Sequence, residues 1–548
     1  MNSRSILNII HVALSMEYET AGSFPTMKMF AEQFELDMKQ TFAFEGICSS
    51  FMLSYLHDNI DDNYELYQSE LRQRGGRDQL LMFLTGPGGS GKSFVIFCSH
   101  LYCKQFCNTI GEPFYNSVFA KTAVTTITPL LFQREGTQYN ELHSKLMWLN
   151  TKILIVEGIS TAKQNFLVKL DTTLRQLKNK PAQIYGGINI VFVGDFLQLP
   201  PSLGQPIYHD SGDIHWHGSL NACVMLDQGI HRFKKDPEWG EMLSRIYCGN
   251  MTEDDIRKIN TRIIGQAQLP ENVDCMETRV AYACLTNTSR NQVIKECFYR
   301  YVKDHSPAYN CDKEPSDSVV LIKGLISTKD NLVGCEFHQM LWAVADDHNV
   351  IGFKNIKVDP CLKLFYGCPL VISCNTGEGR NILFKGTTVN FVGVHWKEGF
   401  HPQLENYKGY KVMTGTAGDV ASVMVQFQSG VIKEVHTEKV AITIKFQGNP
   451  EKLRGFEITQ FPVNIALATT VRFMEGLTKD IMIVVDQVKT LHWWMYFVLS
   501  RVNSLNGLFL FQPIDRNMLM PLSMSIEREL MWLRMLENDY ITMFSNLE

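Results

Sequence analysis

Residues 80–93 read LLMFLTGPGGSGKS, a run of apolar residues that passes through a glycine loop into Gly-Lys-Ser. The apolar half has the length and composition of a buried strand, and the following KSFVIFCSHLYCKQFC has the length of a helix. Strand, glycine loop and helix in that order are the context in which G-x-x-x-x-G-K-[ST] binds phosphate. Gly86, Gly88, Gly89 and Gly91 let the backbone wrap around Ser90 so that amide N–H groups converge on phosphate oxygens. The start of the helix adds its partial positive charge. Lys92 is expected to reach the terminal phosphates, and Ser93 a magnesium ion. The motif predicts binding of a nucleoside triphosphate and leaves hydrolysis open.

Outward from this loop, VFAKTAV (118–124), KILIVEG (152–158) and INIVFVGD (188–195) are short Val- and Ile-rich strands separated by helix-length segments. Such alternation predicts an α/β fold with a parallel sheet and crossover helices. Upstream, residues 34–58 put Phe44, Ile47, Cys48, Phe51 and Tyr55 on one stripe, which predicts an amphipathic helix. Residues 61–79 are polar with a Gly pair and read as a surface connection. In the second half VMLD near 225, RVAYACLT near 283 and DIMIVVDQ near 483 are further apolar strands. Between about 380 and 448, period-two stretches such as TTVNFVGVHW and VASVMVQFQ alternate with glycine breaks, which predicts a small β-barrel insertion.

A chain of 548 residues exceeds one hydrophobic core, so two principal domains are expected. Hydrophobic residues at 45% and charged residues at 20% match folded globular proteins and exclude fibrous or disordered classes. A net charge of -5 argues against coating of nucleic acid by global charge and leaves room for a local basic groove. The 14 cysteines show no CxxC or zinc spacing, so reduced buried thiols of an intracellular protein are expected. The short apolar run near Met1 lacks a clear cleavage site and reads as a mature N-terminus. No stretch of 18 apolar residues occurs, so no membrane partner is expected.

The strand ending in VFVGDFLQLPP (191–201), preceded by YGG at 185–187, resembles the third motif of the PIF1-like DNA helicases, RecD-like members of superfamily one. That resemblance spans about residues 36–512 and implies two RecA-like P-loop NTPase domains. The expected division is an N-terminal extension at 1–35, an ATP-binding domain at 36–222, and a second domain at 223–548 that holds the barrel. The resemblance makes Asp195 and Gln198 reporters on the terminal phosphate, and Gln40 in LDMKQTFAF the adenine contact. GIHRF is similar to the fourth motif and YFVLSRVNSLNGL to the sixth, which gives Arg232 and Arg501 as arginines delivered to the phosphates. Closure of the domains would then stabilise transition-state charge. Strand-binding roles are implied for Thr122 in AKTAVTT, His143 in ELHSK, Asn287 in LTNTSRNQVI, and Thr470 and Arg472 in ALATTVRFMEGLT.

Two segments depart from the family pattern. Its acidic motif has Asp-Glu before an apolar residue and Ser; aligned without gaps on Ser160, those positions are Glu157 and Gly158. Glu157 retains a ligand for magnesium, but Gly158 cannot polarise a water, a contribution worth roughly a hundredfold to ten-thousandfold. A one-residue bulge would instead make Glu157 the catalytic acid, with Val156 at the metal position. In the fifth motif the family's Thr-Ile-His-Lys-Ser-Gln-Gly becomes Thr470 to Gly476, with Arg472, Phe473 and Glu475 among the replacements.

The implied activity is an ATP- and magnesium-dependent helicase moving 5' to 3' on single-stranded and forked DNA. The implied settings are DNA repair, recombination or telomere maintenance. A monomer is expected, with a nuclear address favoured over a mitochondrial one because Glu17 and Glu19 interrupt the N-terminus. The alternative is a weakened ATP- and DNA-binding relic of a mobile-element (Helitron-type) helicase.

Overall fold

The computed structural model describes residues 3–14, 24–56, 62–115, 117–124, 148–201, 204–209, 213–226, 233–267, 280–313, 318–327, 352–354, 359–377, 383, 386–445, 453–474, 478–486, 492–518 and 522–544. The chain divides into two units, Met1–Glu253 with Lys489–Ser500 and Arg516–Glu548, and Asp254–Val488 with Arg501–Asp515.

The first unit is built on five parallel strands: β1 (Leu81–Thr85), β2 (Phe119–Ala123), β3 (Ile153–Glu157), β4 (Asn189–Gly194) and β5 (Ala222–Met225). Their order across the sheet is β2-β3-β4-β1-β5. The central strands are apolar at nearly every position because both faces of the sheet are covered. Alternate side chains serve different cores, as the two-residue period of a strand requires. Met82, Leu84, Ile153, Ile155, Val191 and Val193 face one core. Leu81, Phe83, Leu154, Val156, Ile190 and Phe192 face the other.

The first face is covered by the helices α1 (Ser3–Leu14), α2 (Met27–Gln33), α3 (Met38–Leu56), α4 (Asp62–Gln73) and α5 (Lys92–Ile110). α3 differs from the expected amphipathic helix. Besides Phe44, Ile47, Cys48 and Phe51 it buries Glu45, Gly46, Ser49 and Ser50, so almost its whole circumference lies in the core. Glu45 is tolerated there because Arg74 Nη1 lies 3.3 Å away, while Arg74 Nη2 donates to the Leu14 carbonyl. The polar stretch read as a connection forms α4, a helix with an outward polar face that ends before Gly75 at φ 77°. α1 and α2 are part of this core, so these helices of the expected N-terminal extension belong to the first unit.

The second face is covered by the helix Gln164–Leu177 and by the C-terminal helix Met524–Thr542, which packs on β5. Its buried Glu529 accepts from Trp216 Nε1 at 2.8 Å and lies 2.7 Å from His217 Nε2. Eight residues on, Glu537 accepts the Met225 amide at 2.6 Å. The expected boundary at 222/223 therefore falls inside a strand of the first sheet, and the segment near 225 belongs to that sheet rather than to the second domain.

In the second unit Val280–Cys284 lies between Ala468–Thr470 and Ile481–Val484, with Leu508–Leu510 outermost, all parallel. The helix Asn287–His305 packs on this sheet. The strands expected at about 380–448 form, but they are shared among three open sheets instead of closing into one barrel among the described residues. Thr388–Trp396 pairs with Val420–Gln426 and Pro369–Ile372. Tyr410–Thr416 pairs with Gln403–Tyr407 and runs parallel to Val319–Lys323. Glu438–Lys445 pairs with Leu453–Gln460 and Gly352–Lys354. Partners from outside 380–448 complete each sheet, so no local segment closes on itself.

Candidate nucleotide site

β1 ends at Thr85 and α5 begins at Lys92, so the glycine loop is the turn between a central strand and a helix. Gly86, Gly89 and Gly91 have φ of 141°, 88° and 90°, values that side chains disfavour. A Cβ on Gly86 would stand 2.6 Å from the Leu226 carbonyl, and one on Gly91 would run into Gln40 Nε2. Gly91 precedes α5 without any side-chain cap, so the first amides of the helix are left to another acceptor. Lys92 Nζ folds back on the loop, donating to the Gly86 carbonyl at 2.6 Å and the Pro87 carbonyl at 2.9 Å. Ser90 is buried and Ser93 is exposed on the first turn of α5. Amides, ammonium and hydroxyl are the donor set that a magnesium-bound triphosphate requires.

Gln40 is fully buried beside this loop, and its amide serves two elements. Nε2 donates to the Ser90 carbonyl at 3.2 Å. Oε1 accepts the Asp37 amide, while Asp37 Oδ1 accepts the Gln40 amide at 2.8 Å, a reciprocal cap at the start of α3. The expected adenine contact is therefore also a tie between α3 and the loop.

Asp195 follows β4 and is buried. Its Oδ1 accepts from the Leu197 amide at 2.9 Å and from the Tyr247 hydroxyl at 3.0 Å; its Oδ2 accepts from Gln198 Nε2 at 2.6 Å. Burial raises the Asp195 pKa, opposed by the charge of Lys92 and by these hydrogen bonds. The Tyr247 ring stands 4.8 Å from that of Tyr496, and the Tyr496 hydroxyl accepts the Gly88 amide of the loop at 3.2 Å. Two tyrosines thus link Asp195 to the glycine loop. Tyr496 lies inside the stretch YFVLSRV, where attention to Arg501 passed it over; Tyr247 lies in no recognised motif.

Glu157 ends β3 with its carboxylate 3.0 Å from Lys121 Nζ on β2. Gly158 has φ 73° and ψ 27° and turns the chain into the short helix Ile159–Thr161. The glycine in place of a carboxylate is therefore used by the backbone itself. Among the described residues no group of three or more His, Cys, Asp or Glu side chains gathers as a metal site. Ser93 and Glu157 are the residues that would hold a magnesium ion, together with the phosphates and water.

The other expected residues are dispersed. Thr122 is half-buried on β2. Asn287 begins its helix after Thr286, whose hydroxyl accepts the Ser289 amide. Thr470 ends a strand of the second unit, and Arg472 lies in the short helix Val471–Met474. Arg501 is buried in the second unit, its carbonyl accepting the Lys479 amide at 2.8 Å. His143, Arg232, Glu475 and Gly476 lie outside the described residues. The first unit alone brings together the loop, Lys92, Gln40, Asp195 and Gln198.

Residues 134–210 match the family model of the PIF1-like helicases. The ATP-dependent DNA helicase PIF1 of Saccharomyces cerevisiae is 33% identical over 119 residues, 21% of this chain and 14% of that protein. Human PIF1 is 41% identical over 144 residues, 22% of this chain and 20% of that one. RRM3 of S. cerevisiae is 29% identical over 206 residues, 33% of this chain and 27% of that one. The matches thus span under a third of these relatives.

Among solved structures, Pif1 helicase from Candida albicans shares the fold with a TM-score of 0.56 at 19% identity, covering 86% of this chain and 98% of that one. The Bacteroides Pif1 complex with ADP-AlF3 and single-stranded DNA gives 0.55 at 17% identity, covering 83% and 94%. Residues 134–210 are thus similar to the PIF1-like helicase family, short stretches match PIF1 and RRM3, and the chain shares the fold of solved Pif1 helicases.

Proposed function

We propose that the chain is a PIF1-family ATP-dependent DNA helicase that moves 5' to 3' on single-stranded DNA and opens forked duplex. The observation that carries this reading is the pairing of the glycine loop and Lys92 with the buried Asp195–Gln198 couple. Magnesium, when bound with ATP, neutralises charge on the phosphate oxygens. The loop amides hold the phosphates, and Lys92 exchanges two neutral carbonyls for anionic oxygens, so that its ammonium gains an opposite charge. Gln198, held on Asp195, is positioned to sense whether the terminal phosphate is present. Arg232 and Arg501 complete the charge stabilisation in this proposal, and Thr122, His143, Asn287, Thr470 and Arg472 track the strand. Similarity to PIF1 and RRM3, and to a Bacteroides Pif1 solved in complex with single-stranded DNA, supports that partner.

A second reading has a specific observation behind it. Gly158 carries no carboxylate, and Glu157 is paired with Lys121, so the chain binds ATP and DNA with weakened turnover. Steady-state ATP hydrolysis with and without single-stranded DNA separates the two. Stimulated turnover supports the helicase; background turnover with retained nucleotide binding supports the weakened form. Loss of nucleotide binding in Lys92→Ala is expected in both, and unchanged binding would overturn both.

A further inference from the structure

We propose that Tyr496 is a plug in the phosphate loop, displaced when nucleotide binds, so that loop occupancy and release of residues 492–500 are one exclusive equilibrium. The inference rests on the reading of residues 86–93 as a triphosphate site. The Gly88 amide, which a phosphate needs, is given to the Tyr496 hydroxyl at 3.2 Å. That hydroxyl is held by structure on two sides. Tyr496 is buried in the helix His492–Leu499, which packs on the helix Pro237–Tyr247. The Tyr247 ring stands against it at 4.8 Å, and the Tyr247 hydroxyl is fixed on Asp195.

A phosphate oxygen and a phenolic oxygen compete unequally for one amide. A bond to an ionised acceptor is roughly twice as strong as a neutral one, so nucleotide wins. The same preference means that the tyrosine lowers nucleotide affinity by the worth of the bond that it surrenders, about two- to tenfold. The consequence reaches beyond affinity. Residues 489–500 are grouped with the first unit, and the chain passes at Arg501 into the second. Withdrawal of Tyr496 therefore acts on the segment that leads directly into the arginine assigned above to the phosphates. Asp195 lies at the other end of the tyrosine pair, so the residue beside Gln198 responds to the same event.

Two measurements on the full chain test the plug. Tyr496→Phe removes the acceptor and keeps the ring, so fluorescent ATP analogue with magnesium should bind about two- to tenfold more tightly than to wild type. Equal or weaker binding overturns the plug. Hydrogen exchange of the wild-type protein should show, on addition of ATP and magnesium, greater protection at 86–93 and lower protection at 492–500. Greater protection of both segments overturns the plug independently of any variant. If neither wild type nor Tyr496→Phe binds nucleotide, the triphosphate reading itself fails and the plug falls with it. If both bind equally, only the plug fails.

Discussion

Gly158 stands at φ 73°, and this angle changes what its substitution tests. A side chain in the left-handed region costs roughly 1–2 kcal/mol. Gly158→Glu is therefore expected to lower unfolding free energy by about that amount, read from denaturant titration, and to leave ATP turnover within a few-fold of wild type. A tenfold rise in turnover would show that the backbone accommodates the carboxylate and that its loss alone limits hydrolysis. Asp195 gives a second residue-scale prediction. Burial raises its pKa in the folded protein, so between the ordinary carboxyl value and the raised one the folded state holds the extra proton. Stability from this group thus falls as pH rises through that window, and the ionised form is a standing cost at neutral pH. Asp195→Asn should melt above wild type at pH 7.5, with the difference shrinking as pH falls towards 4, while ATP turnover is lost. A difference that does not change with pH would contradict the assignment.

At the scale of elements, the C-terminal helix Met524–Thr542 is held to β5 and to the segment that precedes it through buried carboxylates. Hydrogen bonds to a charged group contribute roughly 1.5–3 kcal/mol each. Glu529→Ala breaks the bond from Trp216 and should cost at least about that much in a denaturant melt, with the Trp216 environment changing in fluorescence. No change in stability would mean that apolar contacts at Leu533 hold the helix alone. The central strands of the first sheet were legible because each is a nearly continuous apolar run, and the loop was legible because its chemistry requires glycines at fixed spacing. The ends of the unit were not. Nothing local in Glu529 or Glu537 announces partners some three hundred residues away, and β5 reads as a strand without saying which sheet takes it. The barrel expectation failed for the same reason, since period-two alternation gives a strand's faces and not its neighbours. At the site, Lys92, Asp195 and Gln198 were readable from motifs, whereas Tyr247 enters through packing of a helix that no motif marks. That Gly158 also serves the backbone at φ 73° was not readable, because a sequence does not display φ.

At the scale of the whole molecule, a net charge of -5 means that the proposed helicase must attract DNA through local groups rather than through the overall field. For single strands the slope of log affinity against log salt is about -0.7 per phosphate contacted. Affinity for a single-stranded oligonucleotide is expected to fall linearly on that plot, and Arg472→Ala to reduce the slope by about 0.7. An affinity insensitive to salt would place recognition in base stacking instead. The return of the last helix to β5 has a consequence for how the protein is made. From Met225 to Met524 is 524 − 225 = 299 residues, and ribosomes add about 5–20 residues per second. The first unit therefore waits roughly 15–60 s after its fifth strand is synthesised before the helix that covers that strand emerges. Throughout that interval a nascent chain carries an open sheet edge and an uncovered apolar face, so its yield in a cell is governed by chaperone supply and translation speed as much as by the stability of the finished fold.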